Sequence, residues 1–337
     1  MSDMHRLFLE PFFIAMNEKF DKEWCVLHSY ETLPDYSESD VDMAFSGTDI
    51  ASLEALILKV AKDQGWTLYQ KLWYDAEQCF YYVLKENEQD TELAIDFLID
   101  KKGVGKYGFE TTLLTRHCNR WKKIVPIPNS NVAFSYKIVK RIVKQRDLGV
   151  DKQYLLEHFE KSDIQEVKNL LEAQYTTVGM KIFEPYLNEK NFLISKKDRK
   201  ALNQLKKKNN LIRFYWESKR TLSRVFFPCG MILLVSTSLD DEGFHNLVKK
   251  LEDRVGLIFR FVKYQTSFSL YDEFKSLVGS TLIIRRDKRN SLKTHWMVSK
   301  KKIINIEETM NIELLAELYY KEILLALKER NRFKDIY

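Results

Sequence analysis

The stretch Trp24-Cys-Val-Leu-His-Ser-Tyr-Glu-Thr-Leu-Pro-Asp-Tyr-Ser-Glu-Ser-Asp-Val-Asp-Met43 sets the terms for the rest of the chain. It opens with an apolar run, Trp24 to Leu27, which reads as a short buried strand. A polar turn around Pro34 follows. The stretch ends in Asp40-Val41-Asp42-Met43, where acids alternate with apolar residues. Period-two alternation puts Asp40 and Asp42 on one face of a strand and Val41 and Met43 on the other. Neighbouring carboxylates repel, and a hard divalent cation such as Mg2+ is the simplest thing to hold between them. Downstream, Leu93-Ala-Ile-Asp-Phe-Leu-Ile99 is apolar except for Asp96. A lone carboxylate is expensive to bury in such a run unless it is paired or binds metal. Asp96 is therefore the third candidate ligand. An exposed edge strand, or a salt bridge to Asp96 from Lys or Arg, would account for the acids without a metal.

Working outward, residues 6 to 20 carry Leu7, Phe8, Phe12, Phe13 and Met16 at helical spacing. Ser46-Gly-Thr-Asp49 reads as a loop and cap before an amphipathic helix over 50–64 that ends at Gly65. Trp66 to Trp73 and Cys79 to Lys85 read as strands leading to the Asp96 strand. This βαββ order suits a small mixed sheet with helices on one face, an α/β (α+β) class. Gly103, Gly105 and Gly108 punctuate a loop, Glu110 to Asn119 is predicted to be a short helix, and Pro126 and Pro128 close a first domain, 1–128.

From Asn131 to about Arg224 the pattern is helical, a middle region over 129–223. Phe134, Ile138, Ile142 and Val143 make an apolar stripe, with Lys137, Lys140, Arg141 and Lys144 opposite. Helices are expected over 151–159, 164–175 and 196–223. The last carries the basic run Lys196, Lys197, Arg199, Lys200, Lys206, Lys207 and Lys208, which suits either a solvated face or a polyanion. The texture changes at Pro228-Cys-Gly230, opening a domain over 224–337. Met231 to Val235 is continuously apolar, as in a buried parallel strand. Ser236 to Asn246 reads as a loop, followed by a helix over 247–255, the strand–loop–helix layout of a phosphate-binding loop. Yet only Gly243 remains of its glycines, Phe244 stands where a Lys is needed, and Asp240, Asp241 and Glu242 would repel a triphosphate. Those three acids are expected in a loop or cap role. Strands at 280–284 and 302–306 precede a final helix over 311–330.

The 337 residues suit two or three domains, and 45% hydrophobic with 13% aromatic content supplies packed cores. A net charge of +6 does not demand nucleic acid. Four cysteines without CxxC spacing argue against zinc and against a disulfide framework. No apolar run approaches the ~18 residues of a membrane span, and Met1-Ser-Asp-Met-His-Arg lacks a signal peptide's features. A cytoplasmic location without membrane insertion is the expectation.

The Asp pair with a later third acid resembles the nucleotidyltransferase superfamily, whose members carry a small-residue turn after a first strand, then Asp-x-Asp, then another Asp. Here the turn is His28-Ser29, with His28 where the superfamily usually has Gly. The whole chain resembles a two-part bacterial family, a nucleotidyltransferase-like domain joined through helices to a thymidylate-kinase-like P-loop domain. The residues that match are Tyr30-Glu-Thr-Leu-Pro34 with Ser39-Asp-Val-Asp42, Ala94-Ile-Asp-Phe97, and Phe134-Ser-Tyr-Lys137 with Lys140 and Lys144. Further matches are Arg224 with Pro228 and Gly230, then Ile303-Ile-Asn305, and finally Leu327 and Arg330. The resemblance implies Mg2+-dependent nucleotidyl transfer from a nucleoside triphosphate to a sugar, glycan-linked or protein acceptor in polysaccharide biosynthesis. It also implies a degenerate, inactive P-loop domain.

On that reading Asp40 and Asp42 hold two Mg2+ ions, and Asp96 holds one and draws the proton from the acceptor hydroxyl. Ser29 touches the β or γ phosphate, and His28 is either a ligand contact or structural. Lys137 and Lys140, three apart on one helix, share a face and are candidates to neutralise the triphosphate. Two other readings stay open: a non-catalytic module that binds a nucleotide or sugar nucleotide, and an RNA or tRNA nucleotidyltransferase tracking along the basic helix.

Overall fold

The computed structural model describes residues 2–75, 77–88, 91–207, 210–226, 231–235, 239–256, 258–259, 261–265, 281–286 and 311–332. They divide into two compact units: residues 1–66, 73–81 and 95–217, and residues 67–72, 82–94 and 218–337. The helical stretch after residue 129 falls with the first unit as far as Glu217.

The chain is mixed α/β. Helix α1 (Ser2–Lys19) buries Phe8, Phe12, Phe13 and Met16, whereas Leu7, marked with them by the periodicity, is exposed. Strands β1 (Trp24–Val26) and β2 (Val41–Phe45) pair antiparallel, Trp24 opposite Phe45. Helix α2 (Ile50–Asp63) starts at Asp49, whose carboxylate accepts the Ser52 N–H at 2.9 Å. It stops before Gly65, whose φ of +74° is a conformation that glycine adopts without strain. Strands β3 (Trp66–Asp75), β4 (Cys79–Glu86) and β5 (Glu92–Leu98) complete a five-stranded sheet in the order β1-β2-β5-β4-β3. Strand β5 lies parallel to β2, so the sheet is mixed, and the shared register sets Asp42 directly opposite Asp96.

The helix predicted over 110–119 is only a turn and a half, α3 (Thr111–Thr115). His117 takes a φ of +54°, which ends helical continuation, and Asn119–Trp121 (β6) then pairs with Val125–Ile127 (β7). Pro126 therefore sits in a two-stranded ribbon of the first unit and closes no domain there. Helix α4 (Ser130–Val143) follows, capped by Asn129, with Phe134, Ile138 and Ile142 buried. Helices α5 (Lys152–Glu160) and α6 (Ile164–Gln174) pack against it, α7 (Thr177–Asn188) packs against α6, and the rings of Phe134, Phe159 and Phe192 meet at 4.9–5.0 Å.

The single helix expected over 196–223 is two, α8 (Lys196–Leu205) and α9 (Asn210–Phe226). The break is a backbone event. Lys206 leaves the helix to bridge Tyr175, and the Lys207 N–H bonds to the Gln174 carbonyl at 2.8 Å. The basic run is thereby divided, with Arg199 and Lys206 buried rather than lining one solvated face.

In the second unit β8 (Met231–Val235), β9 (Phe261–Gln265) and β10 (Thr281–Arg286) form a parallel sheet in the order β8-β10-β9. Helix α10 (Asp241–Val255) begins six residues before the predicted 247. Asp240 caps it by accepting the Gly243 N–H at 2.7 Å, so Asp241 to Asn246 are helix and not loop. Helix α11 (Ile312–Arg332) pairs with α10 through Lys250–Glu313 and Arg254–Glu317. Pro228 to Gly230, Ser236 to Ser238 and the strand expected over 302–306 lie outside the described residues. Among the described residues no helix is long and apolar enough to cross a membrane.

Candidate metal and anion site

The three acids singled out by the sequence converge. One carboxylate oxygen each from Asp40, Asp42 and Asp96 lies within 4.8 Å of the others. The fold reaches this through three local devices. The segment ahead of Asp40 is tethered, with the Ser37 N–H bonded to His5 Nδ1 at 3.2 Å. The Leu27 N–H bonds to the Asp42 carbonyl at 2.8 Å, which fastens the end of β1 to β2. The parallel β2–β5 register then brings Asp96 beside Asp42.

These acids are compensated unequally. Asp42, 9% exposed, receives Lys140 Nζ on Oδ1 at 2.9 Å and His28 Nε2 on Oδ2 at 2.9 Å. Burial works to raise its pKa, but Lys140 and His28 together hold the carboxyl well below the usual range. Burial lowers the pKa of His28 against the pull of Asp42, so the ring is neutral near pH 7. His28 Nε2 also lies 2.7 Å from Lys140 Nζ. A neutral nitrogen serves one of these neighbours at a time, donating to Asp42 or accepting from Lys140. Nδ1 faces Ser29 Oγ at 3.1 Å, and Ser29 itself takes a φ of +56°.

Asp40 and Asp96 have no Lys or Arg nitrogen within salt-bridge distance among the described residues. Burial and the Asp42 charge raise Asp40, and the same two causes push Asp96 well above the carboxylate range. The Tyr74 hydroxyl hydrogen-bonds Asp96, yet Asp96 Oδ1 is buried with no partner. Buried oxygens are normally satisfied, so an orphan beside two more carboxylates fits a missing cation. All-oxygen donors suit Mg2+, Mn2+ or Ca2+ over softer metals.

Helix α4 supplies the positive side. Lys140 is 7% exposed and aimed at Asp42. Lys144, one turn on, has a pKa brought down to about 8 by desolvation of its ammonium group and by the Lys140 charge. Both ammonium groups flank the Tyr107 ring, at 5.9 and 6.0 Å. Lys137 is committed elsewhere: Nζ pairs with Asp151 at 3.3 Å and lies 5.2 Å from the Tyr154 ring centre, while Arg141 shares Asp151. The structure therefore gathers Asp40, Asp42, Asp96, His28, Ser29 and Lys140 and leaves Lys137 on a neighbouring ion pair.

Sequence reasoning missed Tyr74, Tyr107 and Tyr136. Burial and then the Asp42 and Asp96 charges raise the Tyr107 hydroxyl, and Tyr136 packs edge-on against its ring at 5.9 Å. Tyr107 lies in a glycine-punctuated loop whose return to the acids is tertiary, and no local pattern reports it. Lys144 was legible as Lys140 plus four. No family model matches this chain, and no curated protein or solved structure matches it either.

Proposed function

We propose that the chain is a divalent-metal-dependent nucleotidyltransferase, taking a nucleoside triphosphate as donor and a sugar, glycan-linked or protein hydroxyl as acceptor. The observation that carries the reading is the orphaned Asp96 Oδ1 inside a cluster of three carboxylates with Lys140 at its edge. The nucleotidyltransferase-like and P-loop-like resemblances supply the reaction class. Asp40, Asp42 and Asp96 would hold the metal, Mg2+ being the natural choice for phosphate chemistry. Bound there, it would stabilise charge developing at the α-phosphate and sharpen the acceptor hydroxyl as a nucleophile. Lys140 and Lys144 meet the phosphates, Ser29 offers its hydroxyl and N–H, and Tyr107 walls the same space. Asp96 would also take the acceptor's proton. The capped N-terminus of α10, with acids in its first turn, supports reading the second unit as inactive in phosphoryl transfer.

A second reading has its own observation. Lys140 and His28 already occupy both Asp42 oxygens, which suits a module that binds a nucleotide without turning it over. The test is a calorimetric and thermal-shift panel of ATP, CTP, GTP and UTP with Mg2+, on wild type and Asp40→Asn/Asp42→Asn. The enzyme reading expects one nucleotide to give a Mg2+-dependent shift that the double variant loses, with pyrophosphate released on adding acceptor. A shift indifferent to Mg2+ favours the binding module, and no shift from a folded chain sinks both.

A further inference from the structure

Two cysteines far apart in the sequence meet beside the strand that leads into the site. Cys25 lies in β1, fully buried, three residues before His28 and paired with Ala44 of β2. Cys118 follows α3, and the left-handed His117 turns the chain back over the helix end. Cys118 Sγ consequently donates to the Leu114 and Thr115 carbonyls at 3.6 and 3.3 Å. Cys25 Sγ donates to that same Leu114 carbonyl at 3.3 Å, so both sulfurs sit on one oxygen. Cys79, also buried, sits elsewhere, among Asp75, Asp100 and Asp96.

We propose that Cys25 and Cys118 are a reversible dithiol–disulfide pair which, when oxidised, staples β1 to the end of α3. Two sulfurs that share one acceptor oxygen are near neighbours, the first requirement for a disulfide. Cys118 is half-buried and open to a small disulfide, while Cys25 is sealed in the core. With oxidised glutathione as co-reactant, the Cys118 thiolate attacks one sulfur and releases a first glutathione thiol. Cys25 then gives up its proton and displaces the second glutathione. Two cysteine thiols are oxidised to one disulfide, and one glutathione disulfide is reduced to two thiols. The closed loop would run from residue 25 to residue 118, a long loop of the kind in which a cross-link constrains the unfolded chain strongly. This pair does not depend on the reaction proposed for the acids.

The test uses the full chain, reduced and then equilibrated with oxidised glutathione, blocked with N-ethylmaleimide and digested. The expected result is a linked Cys25–Cys118 peptide and an intact mass about 2 Da below that of the reduced chain. Melting should rise by several degrees and return on adding dithiothreitol. Cys118→Ser, with Cys118→Ala as a second variant, should lose both the link and the rise, and Cys79→Ser should keep them. Both cysteines alkylated after oxidation, glutathione retained on Cys118, or links to Cys79 or Cys229 would each overturn the pair.

Discussion

Asp40, Asp42 and Asp96 form one acidic group in the first unit; Asp75, Glu77 and Asp100 form another, around the start of the loop that carries Tyr107. All six are wholly or mostly buried from solvent, yet their surroundings differ in kind. Asp100 accepts the Val104 and Gly105 N–H groups at 2.9 and 2.7 Å, Asp75 accepts that of Lys106 at 2.9 Å, and Glu77 accepts that of Lys101. Those carboxylates fold a loop. The first group has a lysine and a histidine on one member and a buried oxygen with no partner on another. Counting acids does not separate the two groups, but asking where each oxygen's hydrogen bond goes does. The loop-building group spends its carboxylates on backbone N–H groups, whereas the other leaves Asp96 Oδ1 without a hydrogen-bond partner.

The largest effect that would sharpen this contrast is on turnover. Asp42→Asn should lower nucleotidyl transfer by about a thousandfold or more, as expected when a group that fixes charge at the reacting phosphate is lost. Glu77→Gln should leave the rate within a few-fold. Circular dichroism on both variants controls for folding. Equal losses from the two would erase the distinction between site and scaffold.

A smaller effect concerns stability. Asp100→Ala strands the Val104 and Gly105 N–H groups and should cost about 2–4 kcal/mol in denaturant unfolding. The same residue should leave a pH signature. Burial pushes Asp100 up to about 7 from 3.8. A carboxyl whose folded pKa is raised binds its proton more tightly in the native chain. Stability should therefore fall as pH rises from about 4 to 7, by up to ~1.4 kcal/mol per unit, and level off above that. Asp96 contributes with the same sign, so the informative quantity is the difference in slope between wild type and Asp100→Asn. A variant with the wild-type slope would show that Asp100 is ionised throughout.

The sequence revealed the first acidic group and hid the second. Asp40 and Asp42 stand out because alternation with Val41 and Met43 is a local, period-two signal. Asp96 stands out because it is alone in an apolar strand. Asp100 carries no such mark: its partners are backbone N–H groups of a loop whose path only tertiary packing fixes. The same limit explains the other misses. Asp241 and Glu242 read as part of a loop until Asp240, in the cap role expected for these acids, is seen accepting the Gly243 N–H and starting the helix there. Lys206 reads as helix until it is seen bridging Tyr175. Lys137 and Lys140 share a helix face, as their spacing requires, yet Asp151 claims one and Asp42 the other. Spacing fixes which side chains point together, and their partners arrive from elsewhere in the chain.

The smallest effect discriminates most, because the two groups should answer with opposite signs. Without metal, Asp96→Asn removes a carboxyl crowded by Asp42 and keeps an oxygen for the Tyr74 hydroxyl. It should raise stability by on the order of 1 kcal/mol. No replacement of Asp100 that strands its N–H donors can do this. Adding Mg2+ should then reverse the order, since wild type gains binding free energy that the variant lacks a third carboxylate to capture. Melting curves for both proteins, taken across a Mg2+ titration, should therefore cross. Parallel curves would mean that Asp96 is an ordinary buried acid and that its unpartnered oxygen waits for water, not for a cation.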